Sequence, residues 1–128
     1  MAYYAYSTLE ASVGEGPLII RVGVDPNDVD RALAAIDEEV RALREEGPTE
    51  QELEDTRESL VGSVPRLLET SESIAEFLIH VEQFGLGLDY DRRVSDLFRQ
   101  VTMAEVREAA RDVLDPARAA IVVAGPIR

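Results

Sequence analysis

The hydrophobic positions recur at helical spacing over most of the chain, and residues 49–87 carry the pattern most clearly. Leu53, Leu60, Val64 and Leu67 fall on one face before and across Pro65, and Ile74, Phe77, Leu78, Val81 and Phe84 fall on one face after it. Proline cannot donate to the helical ladder and clashes with the preceding turn, so Pro65 should kink the first helix or end it near Val64. Thr70 or Ser71 restarts a helix that runs to about Phe84. Thr49 with Glu52 three residues on is a capping box for the first of the pair.

The flanks have different periods. Residues 3–11 alternate and are rich in aromatic residues, which predicts a strand. Val13-Gly14-Glu15-Gly16 is a turn, and residues 18–24 alternate again, with Leu18, Ile20, Val22 and Val24 on one face. An antiparallel hairpin is expected, and two strands alone are marginal. Asp25 caps a helix with Pro26 at its first position, and Val29, Leu33, Ile36, Val40 and Leu43 form its apolar stripe. Gly47-Pro48 stops it. After the turn Gly85-Leu86-Gly87, a helix from Asp89 or Tyr90 to about Gln100 should bury Val94, Leu97 and Phe98. Thr102 and Glu105 box a last helix that buries Val106, Ala110, Val113 and Leu114 and stops at Asp115-Pro116. Residues 119–124 are continuous and apolar, which suits a strand buried on both faces and joined to the hairpin's sheet. The order is β-β-α-α-α-α-α-β: an α+β fold, with a small, mostly antiparallel sheet covered by about five helices, in a single domain over residues 1–128.

Charge narrows the function. Among 128 residues, 26 acidic side chains stand against 13 basic ones, a net charge of −13. Such a surface repels phosphate backbones and anionic lipid, so neither nucleic acid nor membrane is an expected partner. There is no cysteine, and every basic residue is arginine, so thiolate and lysine Schiff-base chemistry are both excluded. No apolar run approaches the ~20 residues of a bilayer span. A soluble protein of the bacterial cytoplasm or periplasm is the expectation.

Candidate chemistry is sparse. His80 is the one histidine, and neither H-x-x-E-H nor H-E-x-x-H occurs. His80 with Glu76 and Glu82 could hold a metal only weakly, and a surface histidine on a helix accounts for it. Asp89 and Asp91 read as caps for the following helix rather than a catalytic pair. Glu45, Glu46, Glu50, Glu52, Glu54 and Asp55 read as a solvated face. Gly14-Glu15-Gly16 is a turn, with no helix behind it to hold a phosphate. Tyr3, Tyr4 and Tyr6 are best explained by strand propensity; the other reading is a peptide-binding surface on which a phenol donates to a carbonyl.

Six strings, in order, resemble the pitrilysin/insulinase family of zinc metallopeptidases, the inverzincins, which include mitochondrial processing peptidase. They are M-A-Y-Y-A-Y-S, G-P-T-E-Q-E-L-E, G-S-V-P-R-L-L-E-T-S-E-S-I-A-E-F-L, F-G-L-G-L-D-Y, V-T-M-A-E-V-R-E-A-A and I-V-V-A-G-P. The resemblance implies a LuxS/MPP-like fold, built as two homologous domains or subunits of which one carries zinc and the other closes over it. With a single histidine, this chain is similar to the second, non-catalytic kind. It would contain no cofactor of its own, zinc belonging to the partner domain, and would be inactive alone.

Within that family the second domain often carries R-G-L-A-Y-like residues before a strand, and the tyrosine helps hold the substrate backbone. Ala2-Tyr3 matches the A-Y, so Tyr3 is the substrate-binding residue that the resemblance implies. Relative to a family domain the chain is expected to be truncated at its N-terminus, its exposed sheet edge covered by self-association. The expected function is to enclose and hold peptide substrate for a partner domain or subunit that bears H-x-x-E-H. The alternative is a structural or assembly module of the same fold with no proteolytic role.

Overall fold

The computed structural model describes residues 2–126, which fall into two compact units. The first comprises residues 2–47 with 107–126, and the second residues 48–106. Strands β1 (Ala2–Leu9) and β2 (Leu18–Val24) form an antiparallel two-stranded sheet. Five helices follow: α1 (Val29–Glu45), α2 (Glu50–Ser63), α3 (Ser71–Gln83), α4 (Tyr90–Gln100) and α5 (Met103–Val113). The α+β class and the hairpin follow the sequence pattern.

In the first unit, α1 packs on β2 and on the 3-10 turn Pro116–Arg118. Its entry is tighter than the sequence predicts. The Asp25 carboxylate accepts from the Asn27 N–H at 2.9 Å, which closes a 3-10 turn over Pro26–Asp28 before α1 begins. At the other end, the Gly47 N–H donates to the Leu43 carbonyl at 3.1 Å with φ +76°, a left-handed cap that glycine adopts without strain. Arg44 reaches out from the last turn of α1 and donates to the Leu114 carbonyl at 2.6 Å and to that of Arg111. It thereby satisfies carbonyls that the end of α5 leaves without a helical partner.

The second unit is assembled by caps and breaks. Thr49 and Glu52 form the expected box, with Thr49 N–H to Glu52 Oε2 at 2.8 Å. Pro65 falls in a 3-10 turn, Val64–Leu68, and α2 ends at Ser63. Thr70 and Ser73 make a second box for α3, and Thr102 and Glu105 a third. Helix α2 packs against α4 and against the Val64–Leu68 turn, which also meets α3. Arg57 donates to the Val101 carbonyl just past α4, its Nε at 3.1 Å. The Phe77 and Tyr90 rings stack at 6.1 Å.

The buried apolar residues among those described are Leu53, Val64, Val81 and Val94 in the second unit and Ala110 in the first. Each lies on a face that the periodicity marks. The rest of those faces is less covered than expected: Leu60, Ile74, Leu78, Leu97 and Val113 stay exposed. An amphipathic helix presents more apolar surface than one neighbouring helix can cover, and these helices have few neighbours.

Two expectations are corrected. Residues 119–124 form no strand and pair with no edge, and Ile121 and Val122 are 69% and 89% exposed. A strand buried on both faces needs cover on both, and the two-stranded sheet here is itself largely open. The second concerns Asp89, which makes no capping bond and pairs instead with Arg93 at 2.8 Å, one turn further along α4.

Candidate peptide-binding edge

β1 pairs with β2 alone, so its other edge is unpaired among the described residues. All eight of its residues are exposed. The register joins Tyr4 to Gly23, Ala5 to Val22, Tyr6 to Arg21, Ser7 to Ile20, Thr8 to Ile19 and Leu9 to Leu18. Between Ala2, opposite Val24, and Tyr4, opposite Gly23, one residue is extra. That residue is Tyr3, so it sits on a β-bulge, a device that turns a side chain out of the regular pleat. Its exposure is 76%, and no hydrogen bond to a described residue holds its hydroxyl.

The other tyrosines have structural partners. A Cβ at Gly23 would lie 2.4 Å from a Tyr4 ring carbon, so glycine is what admits the ring across the pair. The Tyr4 and Tyr6 rings lie 6.0 Å apart. The Arg21 guanidinium lies 6.0 Å from the Tyr6 ring centre and pairs with Glu10 at 3.3 Å. Tyr6, and after it Glu10, raise the Arg21 pKa above its ordinary value. The Tyr6–Arg21 pair went unforeseen in the sequence. A hairpin closing at Val13–Gly16 would set Tyr6 opposite Gly23; the observed register, closed by the Glu10 N–H to the Pro17 carbonyl at 3.0 Å, sets it opposite Arg21.

The other candidates do not assemble. His80 is exposed on α3, its ring 4.6 Å from that of Phe84. It does not come together with Glu76 and Glu82, and no three potential metal ligands group among the described residues. The acidic residues from Glu45 to Asp55 are solvated, and three of them serve local contacts: Glu52 in its cap, Glu54 with Arg57 at 2.9 Å, and Asp55 accepting from Gln51 at 2.8 Å. Among the described residues, no helix is long and apolar enough to cross a membrane.

No curated protein matches the chain. A family model does: that of the Peptidase M16 inactive domain matches residues 1–60, which span the hairpin, α1 and most of α2. An inactive domain of this kind has a companion catalytic domain in its family. The match covers the segment that carries Tyr3 and the unpaired edge. Over residues 1–60 the chain is thus similar to the C-terminal, non-catalytic domain of the pitrilysin/insulinase family.

Proposed function

We propose that this chain helps enclose and hold an extended peptide for a partner domain or subunit that carries the zinc site. The observation that carries this reading is the open edge of β1. An extended peptide laid along that edge takes main-chain hydrogen bonds from it and becomes a third strand. On this reading Tyr3, 76% exposed at the register shift, donates its hydroxyl to a peptide carbonyl at one end of the edge. On this reading the partner supplies the nucleophile, the base and the metal ligands. Its contribution to the reaction is position, which lowers the barrier by holding the scissile bond where the partner's chemistry acts.

The test is a peptidase assay with quenched peptides, on the chain alone, on an H-x-x-E-H-bearing counterpart alone, and on the two together. Activity that appears only in the mixture supports the reading. A folded, zinc-loaded counterpart that gains nothing from the mixture would refute it and favour an assembly role.

A further inference from the structure

We infer that residues 119–124 of a second copy add as a strand to the free edge of β1, so that two copies exchange these segments reciprocally. Charge selects the two surfaces. The chain carries a net charge of −13, so its copies repel wherever charged faces meet. The two longest stretches without a charged residue are residues 1–9, which contain β1, and residues 119–127. Edge strands are ordinarily protected by charge, particularly lysine, or by proline. β1 has neither, whereas β2 carries Arg21, ion-paired to Glu10.

Length and composition agree. Beyond the bulge, β1 offers six regularly paired residues, Tyr4 to Leu9. The segment A-A-I-V-V-A is also six residues, a common strand length of about 20 Å. Its centre is β-branched, and in its own chain it lies exposed and unpaired. Reciprocal exchange closes a two-fold dimer and leaves no further donor or edge of this kind free, so assembly stops at two. The inference rests on the same edge as the peptide-holding reading, and it makes the dimer the form in which that edge is occupied.

Sedimentation velocity over a concentration series from micromolar upward tests it, with no partner domain or substrate present. A monomer–dimer equilibrium is expected. Successive N–H groups of a strand point to opposite sides, so a paired Ile121→Pro and Val122→Pro variant must remove a ladder donor in either register. It should weaken dimerisation at least about tenfold, through lost ladder bonds and the fixed proline geometry. Both side chains are mostly exposed, so far-ultraviolet circular dichroism should be unchanged. A synthetic peptide of residues 117–126 in excess should return the wild type to monomer. A wild type that stays monomeric, or a double variant that dimerises as the wild type does, overturns the inference. Failure of the peptidase assay alone would leave the dimer standing.

Discussion

The Arg44 guanidinium donates to the Leu114 carbonyl at 2.6 Å, across 70 residues of sequence. One side chain thus ties the end of α1 to the end of α5, where carbonyls lack helical partners. Arginine suits the place because its fork reaches two carbonyls at once, Leu114 and Arg111. Arg44→Ala should lower stability by about 1–3 kcal/mol, the range for hydrogen bonds made by a charged group. Arg44→Lys should recover less than half of that. Urea midpoints for the three proteins check the order.

Gly47 closes α1 at φ +76°, and a Cβ there would come within 2.7 Å of the Arg107 side chain. Gly47→Ala therefore meets both left-handed strain and crowding. A loss of about 1–2 kcal/mol is expected, with the larger part from the backbone. The same measurement on Gly62→Ala, at a helical site with open space around it, should give a neutral or slightly stabilised protein.

Glu52 and Glu105 both titrate below the ordinary glutamate value, because the Thr49 N–H and hydroxyl hold one carboxylate and the Thr102 hydroxyl and N–H the other. A carboxylate bound in the folded state favours folding fully above its unfolded pKa, about 4.3. That contribution disappears as pH falls through the lower, folded value. Denaturant titrations should show stability level near neutrality and falling below about pH 4.3. The double variant Glu52→Gln, Glu105→Gln should start less stable and fall less steeply. An equal acid slope in both proteins would assign the titration to other carboxylates.

Thr49→Ala and Thr102→Ala each remove one side of a reciprocal cap. Each should cost about 1 kcal/mol, and the boxes share no partner, so the double variant should show the sum within about 0.5 kcal/mol. Thermal or chemical unfolding of the single and double variants measures this.

Tyr3→Phe keeps the ring and removes one hydroxyl donor. In the mixture of this chain with its catalytic counterpart, activity should fall by about 5- to 10-fold, the worth of one hydrogen bond of about 1 kcal/mol. Tyr4→Phe, whose ring packs over Gly23, should leave activity within about twofold while the fold is kept.

Much of this fold was legible in the sequence because its signals are local. Thr49-Glu52, Thr102-Glu105, Gly47-Pro48 and Pro65 each set a boundary through chemistry confined to three or four residues. What was not legible depends on distant partners. The run A-A-I-V-V-A has strand chemistry, but a strand also requires an edge to pair with, and composition does not supply one. Asp89 had two local uses, as a cap and as a partner to Arg93, and the ion pair prevailed. Of the proposed peptide-binding edge, the sequence marked Tyr3 and the strand that carries it. Its bulge comes from a one-residue mismatch between strands, which no single stretch of sequence reveals.

The distribution of buried residues has a dynamic consequence. In the unit that holds the hairpin, Ala110 is the only buried apolar residue among those described, whereas the other unit has four. The hairpin is thus kept in register by its ladder with little burial behind it, and segments of that kind open at low free energy. Its amides should exchange with solvent well before those around Leu53 and Val94. Any strand that lays itself along β1 then does two things at once, binding the edge and quieting the hairpin that presents it. The affinity measured for such a strand includes the ordering of its own receptor, so a mutation that merely stiffens the hairpin should tighten binding without touching the ligand.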